Sequence, residues 1–212
     1  NKDETTFTQK GGLDIKYGIN DAFTLDTTLV LDFGQTKFDN VVLNLGPFEQ
    51  QFNENRPFFT EGTDMFSKGN LLYSRRIGAS PEFYPELAEN ETIDEFPNAV
   101  NLLNAIKISG RNNDGLGIGF LNAITEKTMA TVNNSDNNST RQVEVSPLTN
   151  YNVIVFDQRF NQNSSVTFIN TNVTRNGSFR DANVTGLLFD LNNKTNKYNL
   201  SGGLKSSSIN DV

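Results

Sequence analysis

The sequence has no cysteine, no histidine and no tryptophan among its 212 residues. Without cysteine there is no disulfide, no thiolate nucleophile and no zinc–thiolate site. Without histidine the usual general base at neutral pH and the commonest transition-metal ligand are missing. Enzyme chemistry would have to rest on carboxylates, and neither a cofactor nor a metal site is expected. No segment approaches the roughly 20 apolar residues of a spanning helix, and the mean hydropathy of -0.48 is too polar for a helical membrane protein. The net charge of -7 repels a phosphate backbone over most of the surface, so nucleic acid is not an expected partner. The first residues, NKDETTFTQ, have neither the basic nor the apolar region of a signal peptide. An export signal, if the protein uses one, is expected outside this sequence.

What is present is alternation. In FTLDTTLVLDF, Phe23, Leu25, Thr27, Leu29, Leu31 and Phe33 share one face, and Thr24, Asp26, Thr28, Val30 and Asp32 share the other. Leu13, Ile15, Tyr17 and Ile19 do the same just before, so a first hairpin is expected. A second joins Ile106 and Ile108 to Leu116, Ile118 and Phe120 through RNNDG, a run with Asn-Asp-Gly turn chemistry. The third joins YNVIVFDQRF to SVTFINTNVT, and the fourth sets Thr185, Leu187, Phe189 and Leu191 against Tyr198, Leu200 and Leu204. This pattern predicts eight strands and no helix. The glycines of GLGIG lie inside an alternating strand, which points to close packing rather than to a phosphate-binding loop.

Every second connection is tight, and the links 34–101, 126–149 and 175–183 are longer and rich in Asn, Ser, Gly and Asp. Outer-membrane barrels have this asymmetry. The face opposite the apolar one carries Lys16, Asp26, Asp32, Lys107, Asn199, Ser201 and Lys205, a polar lining for an interior. A soluble sandwich gives the same alternation with its apolar face turned inward, so both readings stand on pattern alone.

Residues 35–100 interrupt the meander and are too long for an idle loop. Four prolines, Pro47, Pro57, Pro81 and Pro85, break any long helix there. Arg56, Arg75 and Arg76 are placed to pair with Glu49, Glu54, Glu61 and Asp64, since a guanidinium holds a carboxylate with two parallel hydrogen bonds. Phe48, Phe52, Phe58, Phe59 and Phe66 supply a small local core, with Tyr73 close by in sequence. The expectation is a folded plug whose ion pairs tie it to a polar wall, or else a binding loop.

DFGQTKFDNVVLNLGPFEQQFNENRPFFTEGTDMF, followed by LLYSRRIG, resembles a family of Bacteroidota-type outer-membrane proteins. The resemblance extends more loosely through NLLNAIKISGR, GLGIGFLNAIT and SPLTNYNVIVFDQRF to nearly the whole chain. It implies an outer-membrane β-barrel, usually preceded by a family-9-like carbohydrate-binding module that this sequence lacks. No catalytic residue carries over from it. The ending SSSINDV, without a terminal aromatic, makes a fragment of a larger barrel the expectation.

The combined expectation is an all-β fold: an antiparallel up-and-down meander over residues 1–212, part of a transmembrane barrel, with residues 35–100 as plug or loop. Leu13, Ile15, Leu25, Leu29, Leu31, Ile118, Phe120, Leu187, Phe189 and Leu200 would face lipid. The partners would be outer-membrane lipid, a glycan or other solute, or other outer-membrane proteins, at the cell outer membrane. A soluble carbohydrate-binding sandwich and a carboxylate-dependent glycoside hydrolase are the alternatives.

Overall fold

The structure is a computed structural model that describes residues 12–31, 51–161 and 163–210. Phe48, Glu49 and the side chain of Leu31 lie outside the described part. Eight strands form one antiparallel sheet in the order β1 (Leu13–Gly18), β2 (Phe23–Leu31), β4 (Leu102–Arg111), β5 (Leu116–Thr125), β8 (Thr149–Phe160), β9 (Ser164–Arg175), β10 (Asp181–Asn192) and β11 (Asn199–Asn210). These are the eight strands read from alternation, paired with their neighbours as an up-and-down meander. The sheet is open among the described residues, with β1 and β11 as its edges.

Two links expected to be irregular contain strands. β6 (Thr128–Asn134) and β7 (Ser139–Ser146) form a hairpin inside the link 126–149, and β3 (Glu91–Glu95), from the acidic end of the insert, joins them in a second sheet ordered β3-β6-β7. Asn133 to Thr140 thus make the end of a hairpin. The buried apolar part of this small sheet is little more than Ala130, Val132 and Val145, too little to stand out in so polar a stretch. Glu91 fastens it: both of its carboxylate oxygens accept from Arg141 at 2.8 Å. The bonds from Arg141 and from the Ala88 amide hold the Glu91 carboxyl at about 2, so the clamp stays charged down to strongly acid pH.

The tight turns of the main sheet are built by asparagine. Asn20 Oδ1 accepts from the amides of Ala22 and Phe23, Asn112 Oδ1 from Leu116, and Asn193 Oδ1 from Lys197 and Tyr198. Gly115 adopts φ +86°, and a Cβ there would lie 2.6 Å from the Arg159 carbonyl oxygen, so both conformation and space call for glycine. All four tight turns lie at one end of the sheet, since they join alternate pairs of antiparallel neighbours. The long links lie at the other.

The two faces differ sharply. Along β5, buried and half-buried residues alternate strictly, with Gly117, Gly119, Leu121, Ala123 and Thr125 on the buried side. The opposite side carries an apolar row traced through the registers: Ile118, Phe156, Phe168, Leu187, Leu204. Phe156, Phe168, Leu187 and Leu204 are 39–77% exposed, so among the described residues no second layer of this chain covers them.

The next rows show where that band ends. One runs Tyr17, Leu25, Ile108, Phe120, Ile154 and then turns polar at Asn170, Thr185 and Ser206. The following row is already Asn122, Asn152, Asn172, Asn183 from β5 onward. The apolar border therefore steps across the sheet, as it does when strands are inclined to the plane that bounds the band.

Candidate functional site

Residues 51–78 pack onto the buried face of the main sheet. Pro57 opens α1 (Pro57–Thr60) at its first position, where a missing N–H costs nothing, and leaves Arg56 extended, as a residue before proline prefers. This four-residue helix is a correction to the helix-free expectation, and 3-10 turns follow at Lys68–Asn70 and Ser74–Arg76. Phe59, Met65, Phe66 and Ile77 then meet Leu121, Val153, Val155 and Ile169 in one core. Small residues on the wall admit them: a Cβ on Gly119 would lie 3.0 Å from the Phe66 ring, and one on Gly186 would lie 2.6 Å from Leu71.

Arg56 organises the insert. Its Nε and a terminal nitrogen donate to the two oxygens of Glu54 at 2.8 and 2.7 Å, and the guanidinium also donates to the carbonyls of Ser74 (2.7 Å) and Ile77 (2.6 Å). The guanidinium also stands 4.3 Å from the centre of the Phe59 ring. Ser74 Oγ donates to Glu54 at 2.7 Å. Burial pushes the Glu54 carboxyl up, but the bonds from Arg56 and Ser74 and the charge of Arg56 outweigh it and hold the group below its ordinary range. The RPFF and YSRRIG segments are thus two halves of one knot.

The other expected residues divide. Phe58 and Phe59 meet edge to face with ring centres 5.0 Å apart, and the Tyr73 hydroxyl accepts from the Phe52 amide at 2.9 Å. Arg75 is buried, whereas Arg76 is exposed with its guanidinium 6.0 Å from the Tyr73 ring. Glu61 pairs with Lys16 at 2.7 Å rather than with an arginine, and Asp64 takes part through its carbonyl, which accepts from Ser67 Oγ at 3.0 Å.

The wall supplies partners of its own. Buried Lys107 on β4 donates to the carbonyls of Phe58 (2.7 Å) and Glu61 (2.5 Å) at the end of α1, where helix carbonyls lack internal partners, and lies 3.4 Å from Asp26. Fully buried Asp157 on β8 pairs with Lys68 from the insert and Arg111 from β4, and accepts from Thr167 Oγ1 at 2.6 Å. Lys205 on β11 donates to the Gly69 carbonyl at 2.7 Å. Residues 58–69 therefore touch the sheet from β1 at one edge to β11 at the other. Laid flat, seven strand spacings would put those edges about 34 Å apart. Both edges nevertheless reach one segment, Glu61 to Gly69.

A family model described as a domain of unknown function, DUF5916, matches residues 1–212, the whole chain. The chain belongs to the DUF5916 family. No curated protein and no solved structure matches it.

A cavity of this DUF5916 chain adjoins the YSRRIG half of the Arg56 knot at the long-link end, between Gly78, Ala79 and Ser80 of the insert and the ends of β8 and β9. Arg76, Glu82, Thr149, Tyr151 and Arg175 line it. Of these, the sequence had pointed to Arg76 alone; Glu82, Thr149, Tyr151 and Arg175 were missed, and so were Asp157 and Lys68, the inward polar positions Lys16, Asp26, Lys107 and Lys205 being the only signal.

Proposed function

We propose that this DUF5916 chain forms the wall and plug of an outer-membrane β-barrel, with the described part of the insert folded against the lumen side and a role in binding or passing a solute such as a glycan at the cell surface. The observation that carries the reading is the inversion of the sheet. Lys107 and Asp157 are buried under the insert, while Phe156, Phe168, Leu187 and Leu204 face outward with nothing among the described residues over them. A soluble sandwich buries its apolar face against a second layer; a barrel in lipid exposes it and keeps charge inside.

Three further features agree. Strands β8 to β11 have twelve residues each, about 28 Å when tilted by 45°, close to the hydrocarbon thickness of a bilayer. Tyr17, Phe23, Phe160 and Tyr198 gather at the tight-turn end, in the manner of an interfacial aromatic girdle. The Bacteroidota-type resemblance carried by the RPFF and YSRRIG blocks implies the same location. Outer-membrane lipid is then the partner of the apolar band, and catalysis has no part in the reading.

Flotation is the test. The protein refolded into liposomes should float with them on a density gradient and run at a different mobility on a gel before and after boiling. A monomer that remains in buffer without detergent and never floats would contradict the proposal.

A further inference from the structure

The cleft at the long-link end pairs a well-anchored cation with a weakly held acid. Arg175, its side chain 14% exposed, donates to the Arg180 carbonyl at 2.7 Å and to the Glu82 carboxylate at 3.0 Å. Glu82, by contrast, has a side chain 53% exposed. Arg76 faces the same space, and Thr149 and Tyr151 line it from the sheet. The enclosed volume is about 20 Å³, room for one or two oxygen atoms rather than for a whole ligand. Glu82 thus occupies the place that a ligand's carboxylate would take on Arg175, in a cavity that Arg76 also lines.

Two residues after Glu82 comes an aromatic pair. Tyr84 is 74% exposed and stacked on Phe96, with ring centres 4.8 Å apart and planes 8° from parallel. One face of the Tyr84 ring rests on Phe96, and the other is open. The Cα atoms of Glu82 and Tyr84 are at most about 7 Å apart along the chain, the scale of one sugar ring with its acid group.

Building on the reading that this protein binds a solute such as a glycan at the cell surface, we infer that the cleft at the long-link end is a site for a hexuronic acid residue of an acidic saccharide. The sugar ring lies on Tyr84 and its carboxylate displaces Glu82 from Arg175, with Arg76 beside it. Glu82 is a built-in competitor. Its removal should favour ligand, whereas in a purely structural ion pair its removal would only loosen the insert.

The experiment uses the full chain in detergent micelles and measures binding of sodium glucuronate, glucose and acetate by saturation-transfer NMR and calorimetry. Glucuronate should bind at least about tenfold more tightly than either glucose or acetate. Glu82→Gln should tighten glucuronate by about threefold to tenfold, and Arg175→Lys should weaken it, since an ammonium cannot match the fork. Tyr84→Ala, a surface change that leaves the fold intact, should weaken glucuronate about tenfold and leave acetate unchanged. Absence of glucuronate binding in both the parent and Glu82→Gln, or equal binding by Tyr84→Ala, overturns the site. Glucose binding that equals glucuronate and ignores Glu82→Gln also overturns it, while leaving solute binding by the barrel in place; failure to float with liposomes strikes that broader reading instead.

Discussion

Arg56→Ala is expected to free residues 54–78 from the sheet while leaving the eight main strands paired. The side chain is 2% exposed and its guanidinium bonds both oxygens of Glu54 and the carbonyls of Ser74 and Ile77, so its loss takes the countercharge from a half-buried carboxylate and a donor from each of those carbonyls. Breaking such a pair by removing one partner costs about 3–5 kcal/mol, equivalent to a rise of about two to three and a half orders of magnitude in the open fraction. Hydrogen exchange read peptide by peptide is the measurement. Exchange should accelerate over residues 54–78 and stay slow in β4, β5, β8 and β9. Arg56→Lys should rescue little, because one ammonium cannot reach both Glu54 oxygens and both carbonyls in a planar fork. Replacing the pair together, as Glu54→Gln with Arg56→Met, should recover part of the loss because no buried charge is then left alone. Unchanged exchange over 54–78 in Arg56→Ala would remove the knot from the account.

Leu187→Arg separates lipid from water as the medium around the outer face. Leu187 is 48% exposed and sits in register between Phe168 and Leu204, in the middle of the apolar row. In a soluble sheet an arginine at so open a position would change stability by no more than about 0.5 kcal/mol. Placed near the middle of a bilayer it should cost about 2–4 kcal/mol. Asn183→Arg, beyond the asparagine border on the same strand, should cost only about 0–1 kcal/mol. Urea unfolding of the liposome-inserted protein, followed by the shift in gel mobility, reads both. Equal stability of the two variants would place water on both sides of the border.

Much of this architecture was legible in the residues because alternation is a local signal. Phe23 to Leu31 and Thr185 to Leu191 state their faces in a single strand's length, and the asparagine-built turns state their joins. β6 and β7 were illegible for the opposite reason: a sheet that buries little beyond Ala130, Val132 and Val145 has too few apolar positions to mark a period. The site was readable only in part. Arg56 and Glu54 are two residues apart, so their pairing follows from composition, and Lys107 and Asp26 appear as charges on an inward face. Asp157 pairs with a lysine 89 positions away and Arg175 with a glutamate 93 positions away, and nothing within either strand names the partner. Long-range ion pairs are set by the register of the sheet and the path of the insert, which only the folded chain defines.

The most direct measurement concerns what touches the outer face. The chain has no cysteine, so single cysteines at Val166, Thr167, Phe168 and Ile169 can each carry a spin label without background. In liposomes, labels at 166 and 168 should be accessible to dissolved oxygen and shielded from a polar relaxation agent, and those at 167 and 169 shielded from oxygen beneath the insert. If the labels at 166 and 168 instead meet the polar agent as freely as a label in water, lipid does not cover this sheet and the barrel account fails.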